Sequence, residues 1–228
     1  MLEPIDIVAI HGRTAEGNGV SRPFRCEGAD GRDYFVKLKN AGYQCLVKEW
    51  VAGRLAGEMG LPAAEVSQVR VSSSLVAGNQ EYEAELGEGV AFGSVKVEAA
   101  DRLAFDYIRH DDSGVLSRIL LFDRWVRNAD RALTEIGGNP NLLWEIDPGR
   151  VVMIDHDNAF DAGFNVAIFR QFHALRAHSG SWDPALRGES SAWLEAGLEK
   201  LDQVWAELPR SGCLIHTGIR DAVWTRRT

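Results

Sequence analysis

Three short segments of this chain carry polar side chains of the kinds that handle phosphate groups and metal ions. The first contains Lys37, within the alternating run 33–39 that follows a glycine-bearing turn at residues 16–19. A lysine on a rigid strand beside such a turn can hold phosphate oxygens, because glycine lets backbone N–H groups approach them closely. A solvated strand lysine is the plainer interpretation, and Lys39 on the same face is a competitor for the role.

The second segment is Asn128–Arg131, followed after a gap by Asn141 at the start of an apolar run. A carboxylate at Asp130 can orient or deprotonate an acceptor hydroxyl, and the amide oxygen of an asparagine can coordinate a metal ion. The same residue types also suit a polar helix end followed by a turn, where asparagine and aspartate are common. Both interpretations stay open on this segment alone.

The third segment is the apolar run Val151–Ile154, which ends in Asp155. A buried strand that ends in aspartate delivers a carboxylate at a fixed position, and hard oxygen ligands of this kind suit Mg²⁺ that bridges phosphates. Asp157 can face the same cation or simply cap a turn. His156 touches the proposed metal segment, but the six histidines of the chain form no metal-ligand pattern.

The elements that must position these residues change character along the chain. Period-two patterns and turn signals predict strands early, and a stripe of apolar residues at helical spacing predicts a helix that ends before Gly60 and Pro62. The stretch 72–98 is weakly patterned and is expected to hold an irregular strand and a connection. The predicted strands are 5–10, 20–27, 33–39 and 66–71, and the predicted helix is 43–59.

From about residue 99 the pattern becomes helical, interrupted by a hairpin. Apolar spacing predicts helices at 101–110, 114–128, 165–178 and 189–207. Strands at 142–146 and 151–154 are joined by the turn sequence Asp147-Pro148-Gly149. A strand-rich first part followed by a helical second part predicts an α+β protein with two lobes.

Bulk composition narrows the class of protein further. With 228 residues, 45% hydrophobic and 25% charged, the chain is expected to fold around a sizeable core. The formal net charge of −8 argues against direct, non-specific nucleic-acid binding. The cysteines at 26, 45 and 213 have no metal-ligand spacing, the N-terminus is unlike a signal peptide, and apolar runs fall below the roughly 18 residues that span a bilayer. We therefore expect a cytoplasmic protein with no membrane partner.

Together the segments resemble a known family. The run FDRWVRNADR, then NPNLLW, then VVMIDHDNAF is similar to the catalytic and metal-binding segments of HipA-like kinases, and more distantly to type II phosphatidylinositol 4-kinases. The runs YFVKLKN and CLVKEWVAGRLAGEMGLPAAEV resemble the lysine strand and the following helix of the same family. The likeness covers roughly residues 17–160.

The resemblance implies a two-lobed protein-kinase-like fold, with an N-lobe at 1–98, a C-lobe at 99–228 and ATP in the cleft between them. It implies an ATP- and Mg²⁺-dependent serine/threonine protein kinase with an unknown protein acceptor. A toxin–antitoxin partner follows from the resemblance only. The implied roles are catalytic base for Asp130, Mg²⁺ ligands for Asn141 and Asp155, ATP-phosphate contact for Lys37 with Glu49 as its ion-pair partner, and phosphate-covering loop for Gly17, Asn18, Gly19 and Ser21.

The chain also departs from the family pattern. Asp130 and Asn141 lie eleven positions apart, where relatives place about five residues between them, so residues 133–138 must bulge out for the site to form. Asn139 is an alternative ligand to Asn141, and Lys48-Glu49 can instead be an exposed pair. These departures leave two rivals open: a nucleotide-binding pseudokinase that acts as an interaction module, and a kinase for a small molecule or lipid headgroup.

Overall fold

A computed structural model of the chain describes residues 3–14, 22–103, 114–134, 137–182 and 187–208. The N-terminal part is a closed barrel of five strands in the order β1-β2-β3-β5-β4. Neighbouring strands run antiparallel except β1 and β4, whose parallel pairing closes the barrel. The strands are β1 (Ile5–Arg13), β2 (Phe24–Gly28), β3 (Asp33–Lys37), β4 (Val66–Val71) and β5 (Gly89–Val95).

Alternating side chains of the strands fill the barrel, as the period-two pattern predicts. Phe24 and Cys26 of β2 face Tyr34 and Val36 of β3 within a core cluster of their own. The hairpin between β2 and β3 turns at residues 29–31, where Asp30 accepts hydrogen bonds from the Tyr34 hydroxyl at 2.7 Å and from the backbone N–H of Arg32 at 3.2 Å. The sequence therefore predicted this hairpin correctly, although residues 22 and 23 of the predicted strand precede β2, and residues 20 and 21 lie outside the described residues.

The weakly patterned stretch 72–98 contains the strand that completes the barrel. β5 pairs with both β3 and β4, so the strand expected in this stretch is present, and it is continuously paired instead of irregular. Its Gly93 is required by close packing, because a Cβ there would lie 2.7 Å from Val69 Cγ1 and 3.2 Å from Tyr34. Glycine interrupts the apolar pattern, which is why the strand was predicted poorly. Before β5 lie the short helix α2 (Ser73–Val76) and a π-helical turn at Tyr82–Leu86.

Helix α1 (Tyr43–Glu58) matches the predicted helix within one residue and packs outside the barrel. Gly60, with a φ of 74°, follows the helix in the left-handed conformation that suits a helix end. The buried face of α1, which includes Trp50 and Leu55, belongs to the larger of the two core clusters, together with residues from the C-terminal half.

The C-terminal half combines helices with two small sheets, one ordered β10-β9-β6 and the other formed by β7 and β8. The predicted hairpin is confirmed, with antiparallel pairing that sets Leu142 opposite Met153. The elements are β6 (Ala100–Arg102), α3 (Gly114–Trp125), β7 (Ala132–Thr134), β8 (Gly137–Asn139), β9 (Leu142–Glu145), β10 (Arg150–Met153), α4 (Val166–Phe172), a 3₁₀ segment (Arg176–Trp182) and α5 (Arg187–Ala206).

Two helix predictions in this half were wrong at particular residues. Residues 101 and 102 form an edge strand against β9 instead of starting a helix, since their backbone groups pair with Trp144 and Leu143. The predicted helix 165–178 breaks at His173, where the backbone turns to an extended ψ of 135°. That turn lets His173 pair with Ala132 and directs its ring into the core.

Helix α5 packs along α1. Lys200 lies 3.7 Å from Glu58, Trp193 Nε1 donates to the carbonyl of Met59 at 3.2 Å, and Glu207, just beyond the helix, pairs with Arg54 at 3.0 Å. On the same helix, a Cβ at Gly197 would lie 3.2 Å from Trp125 at the end of α3. α5 therefore contacts both α1, the helix between β3 and β4, and α3 in the C-terminal half.

Within the described residues, no helix combines the length and the apolarity needed to cross a bilayer. The two core clusters separate the barrel interior from everything else, including α1. A division of the chain into lobes at residue 98 stays a prediction.

Candidate active site

The β9–β10 hairpin brings two of the predicted ligand residues together. Asn141 immediately precedes β9, and Asp155 follows β10 by two residues. Because Leu142 pairs with Met153, the chain entering and the chain leaving the hairpin lie side by side, and the N–H of Ile154 donates to the carbonyl of Asn141 at 3.0 Å. Strand pairing thus brings Asn141 and Asp155 close together, although fourteen positions separate them in the sequence.

Lys37 and Glu49 form a buried ion pair. Lys37 is the last residue of β3 and Glu49 lies on α1, and their side chains expose only 6% and 3% of their surface. The ammonium donates to Glu49 Oε1, while the other carboxylate oxygen accepts from the backbone N–H of His156 at 2.9 Å. The interpretation of Lys48-Glu49 as an exposed surface pair is therefore wrong, and α1 is tied to both the barrel and the segment after β10.

The same ammonium contacts the carboxylates of the third sequence segment. Lys37 Nζ lies 2.9 Å from Asp155 Oδ1 and 3.7 Å from Asp157 Oδ2. Burial by itself would lower the pKa of Lys37, but Glu49, Asp155 and Asp157 together raise it well above the ordinary value. Burial would likewise raise the pKa of Asp155, but the ammonium of Lys37 outweighs burial and lowers it. Lys37 and Asp155 therefore stay charged.

Asp130 and Asn141 are in direct contact. The side-chain amide of Asn141 donates to Asp130 Oδ2 at 2.8 Å. Most of the intervening residues belong to the β7–β8 hairpin, in which Ala132 pairs with Asn139, so the two ends of the added segment lie close together. Asn141 is buried, whereas Asn139 is exposed on β8. The geometry thus favours Asn141 over Asn139 as the residue at the site.

Asp130 lies in the electrostatic field of the other carboxylates. Burial, followed by the charges of Asp155 and Asp157, raises its pKa, and hydrogen bonds from Asn141 and Asn158 only partly oppose this shift. Asp130 is joined to the Asp155 segment through Asn141, whose side chain bonds the Asp130 carboxylate and whose carbonyl accepts from the N–H of Ile154. A carboxyl group with a raised pKa accepts a proton more readily than an ordinary aspartate.

Several carboxylates at this site could share one cation. One oxygen from each of Glu49, Asp155 and Asp157 lies within 4.8 Å of the others, and the amide group of Asn141 is adjacent through Asp130. Mg²⁺ prefers such hard oxygen donors and usually takes only one or two carboxylates from the protein. The donor set therefore fits a magnesium ion, with Asp155 and Asn141 as the residues that would hold it and Asp157 as a further carboxylate beside them.

The remaining predicted residues fall into two groups. Gly17, Asn18, Gly19 and Ser21 lie outside the described residues. Lys39, the competitor for the role of Lys37, donates instead to the carbonyl of Glu83 at 3.1 Å, away from the carboxylates.

His156 contributes to the site through its backbone N–H, which bonds Glu49. Its ring is buried, and burial, followed by the positive charge of Arg131, lowers its pKa to about 3. The ring is therefore neutral at physiological pH, and it is not a cationic partner for phosphate.

The sequence analysis missed a second buried polar group beside the site. Arg131 and Asp123 have fully buried side chains 2.9 Å apart, and His173 Nε2 lies 3.1 Å from the same carboxylate. One signal was available: Asp123 falls on the apolar face of α3 with Ile119 and Leu120. A charged residue within such a stripe indicates a buried partner.

Comparison with known proteins identifies the family of the chain. No curated protein sequence matched the chain. Among solved structures, the Helicobacter pylori proinflammatory kinase CtkA is similar at 14% sequence identity over 87% of this chain and 68% of that chain, with a TM-score of 0.41. The sequence model of the HipA-like kinase family matches residues 7–218. This match spans most of the chain, and the chain therefore belongs to the HipA-like kinase family.

Proposed function

We propose that the protein transfers the terminal phosphate of ATP, in a Mg²⁺-dependent reaction, to a serine or threonine hydroxyl of another protein. The observation that carries the proposal is the chain of contacts that joins Lys37 to Asp155, and the Asp155 segment to the Asp130–Asn141 pair. Membership of a kinase family supports it. The nucleotide would lie between the barrel and the helical half, which we propose as the two lobes of a kinase-like fold.

Each residue has a distinct task in this proposal. Lys37, held by Glu49, supplies a fixed positive charge for phosphate oxygens. Asp130 accepts the proton of the acceptor hydroxyl, a step favoured by its raised pKa. The Asn141 amide orients the Asp130 carboxylate through the 2.8 Å hydrogen bond. Phosphoryl transfer depends mainly on positioning and charge stabilisation, so this small set of side chains is sufficient.

A magnesium ion held by Asp155 and Asn141 would supply positive charge that offsets the phosphate oxygens during transfer. Without it, the Lys37 ammonium contacts the carboxylates of Asp155 and Asp157, and the Asp130 carboxylate adds a further negative charge nearby. A site with this excess of negative charge is poorly suited to the anionic ATP alone. We therefore expect ATP to bind as its magnesium complex.

We also propose that the protein works in the cytoplasm. Burial, with a smaller contribution from Asp33, raises the pKa of the Cys26 thiol to about 12, so this cysteine is an unreactive core residue. Cys26 and Cys45 are both free thiols. Free thiols are usual in reducing compartments.

A phosphate-transfer assay tests the proposal. Purified protein is incubated with Mg²⁺ and γ-labelled ATP, alone and with a cell extract as a source of acceptors, and label on serine and threonine is identified by mass spectrometry. We expect labelled protein with the wild type and none with Asp130→Asn or Asp155→Asn. Arg25→Gln, which removes an exposed ion pair with Asp33 on the barrel, is the matched control and should keep full activity.

Two outcomes would contradict the proposal. Equal labelling by the wild type and Asp155→Asn would show that this site is not responsible for transfer. Binding of ATP in calorimetry without any transfer would instead favour a pseudokinase that acts as an interaction module. Label that appears only on small molecules or lipids would favour a kinase for a small molecule or lipid headgroup.

A further inference from the structure

Four polar side chains with no direct part in the proposed phosphate chemistry form a buried cluster beside Asp130. Each exposes 2% of its surface or less. Charged groups are rarely buried so completely unless they are paired and hydrogen-bonded, since removing them from water is costly. The cluster consists of Asp123, Asn128, Arg131 and His173.

Asp123 anchors this cluster. Its carboxylate lies 2.9 Å from Arg131 Nε, accepts from the Asn128 amide at 3.2 Å and lies 3.1 Å from His173 Nε2. His173 Nδ1 accepts from the backbone N–H of Leu175, so the ring proton is on Nε2 and points at Asp123. Burial would raise the pKa of Asp123, but Arg131 and His173 outweigh it and lower the pKa. The carboxylate stays ionised and fixes the orientation of the guanidinium group.

The other end of the Arg131 guanidinium contacts both proposed metal-ligand segments. Arg131 Nη1 donates to the backbone carbonyl of Asn141 and, at 2.9 Å, to the backbone carbonyl of Ile154. Asn141 is itself one proposed ligand, and Ile154 is the residue before the other, Asp155. Arg131 also follows Asp130 directly in the chain. One buried side chain thus links the parts of the site that carry Asp130, Asn141 and Asp155.

The backbone at these segments needs such support. Asn141 has a φ of 49° and Asp155 a φ of 54°, both in the left-handed region that L-residues adopt rarely. A backbone in this region keeps its conformation only where its surroundings hold it. Arg131 donates to the carbonyls of Asn141 and Ile154, so its contacts hold the backbone at both turns of the chain.

We propose that Arg131 is a positioning residue that sets the two proposed magnesium ligands, Asn141 and Asp155, relative to Asp130. It touches neither the nucleotide nor the metal ion, and it acts through the backbone of the ligand segments. This inference rests on the proposed function of the site. It goes further by placing the control of metal–nucleotide affinity in a fully buried side chain.

The competing explanation is that the Arg131–Asp123 pair serves only the stability of the core. Arg131→Lys distinguishes this explanation from the positioning role. A lysine ammonium can neutralise Asp123, but it lacks the planar, forked donor group that also reaches the carbonyls of Asn141 and Ile154. A residue that supports metal ligands from outside the coordination shell typically changes metal affinity by about 10- to 100-fold when it is replaced. A purely structural residue changes the melting temperature and leaves that affinity alone.

The experiment compares the wild type, Arg131→Lys and Arg54→Lys by two measurements. The first is isothermal titration with the non-hydrolysable ATP analogue AMP-PNP at fixed Mg²⁺. The second is hydrogen–deuterium exchange at the N–H of Ile154, which bonds the Asn141 carbonyl at 3.0 Å. Arg54 on α1 pairs with Glu58 and Glu207, far along the chain from the ligand segments, and is the matched arginine control.

We expect Arg131→Lys to bind the magnesium complex at least about tenfold more weakly and to exchange faster at Ile154, with Arg54→Lys like the wild type in both. Unchanged affinity and unchanged exchange in a folded Arg131→Lys would overturn the inference. If that variant lacks a thermal unfolding transition, Asp123→Asn replaces it, since the guanidinium remains but its anchor is weakened, and unchanged affinity and exchange there overturn it equally.

Failure of the proposed function gives a different result. A wild-type protein that does not bind Mg²⁺ with AMP-PNP would remove the nucleotide site itself. The exchange comparison at Ile154 requires no ligand, and it still reports whether Arg131 holds the two segments in place.

Discussion

The side-chain amide of Asn141 donates a hydrogen bond to the carboxylate of Asp130, although eleven positions separate the two residues. The contact survives because the added residues form the β7–β8 hairpin, whose ends lie close together by construction. A hairpin adds chain length without lengthening the distance between the residues that flank it. The longer spacing is therefore no obstacle to a kinase-type catalytic loop.

Asn141→Gly is the first test of this arrangement. Glycine adopts the φ of 49° without strain, so the variant removes the amide group and leaves the backbone conformation accessible. We expect phosphate transfer to fall by about 100-fold or more, with a higher requirement for Mg²⁺. Initial rates over a range of Mg²⁺ concentrations measure both effects. Asn139→Gly on exposed β8 should match the wild type, and a larger defect there would assign the ligand role to Asn139.

Asp130→Asn should separate catalysis from binding. The amide cannot accept the hydroxyl proton, and we expect kcat to fall by about 10²- to 10⁴-fold. Asp130 has no contact with Lys37, so the KM for ATP should change little. Steady-state kinetics with varied ATP give both constants. A parallel rise in KM with unchanged kcat would mean that Asp130 serves nucleotide binding and not proton transfer.

Glu49→Gln should weaken both the fold and the activity. Burial raises the pKa of Glu49 to about 8 against the opposing charge of Lys37, so its carboxylate is mostly ionised only above that pH. At about pH 9 the substitution removes the negative partner of a buried ammonium, and we expect a loss of about 2 to 3 kcal/mol in the free energy of unfolding, because Asp155 and Asp157 still offset part of the charge. Urea denaturation followed by tryptophan fluorescence measures it. The control is Glu58→Gln on the same helix, whose side chain is 27% exposed.

The Glu58 pairs with Arg54 and Lys200 lie near the surface, where such pairs contribute little. Glu58→Gln should therefore unfold within about 0.5 kcal/mol of the wild type and transfer phosphate normally. Equal losses in the two variants would contradict a special role for the Lys37–Glu49 pair.

The buried ring of His156 predicts a loss of stability at mildly acidic pH. Its pKa in the folded protein is lowered from 6.5 to about 3, so between these values the unfolded chain binds a proton that the folded chain does not. The stabilisation is complete above pH 6.5 and is lost as the pH falls towards 3. The free energy of unfolding should drop by up to about 1.4 kcal/mol per pH unit from this residue.

Urea denaturation of the wild type at pH 7, 6 and 5 measures this slope, and His156→Gln should show a smaller one. His11→Gln removes an exposed histidine of β1 and should keep the wild-type slope. If His156→Gln loses stability with falling pH as steeply as the wild type, the titration of His156 is not the cause.

Local patterns in the sequence were sufficient for much of the fold. The helix at 43–59, the strand at 66–71 and the hairpin after Asn141 have strong apolar periodicity or unambiguous turn residues, and each was predicted within a few residues. β5 was not, since close contact with Val69 requires a glycine in its middle. The break at His173 arises from a long-range contact with Asp123, which no local pattern contains.

The residues of the site were predictable where a charged side chain lies at the end of an apolar strand. Lys37 and Asp155 each lie at or just beyond the end of an apolar strand, and a charged residue there is conspicuous. The sequence did not predict a role for Arg131, because its partners are the backbone carbonyls of residues 141 and 154. Every residue has a backbone carbonyl, so the sequence does not indicate which carbonyls accept a hydrogen bond. The supporting contacts of a site are thus harder to predict than its reactive groups.

The position of α5 has a consequence for how small a working enzyme can be. The recognisable motifs end at about residue 160, yet α5 lies against α1 through Glu58, Met59 and Arg54, one to three helical turns from Glu49. A fragment cut after the last motif would lose these contacts of the helix that carries Glu49. We therefore expect such a fragment to be less stable than the longer chain, although α5 carries none of the residues of the site.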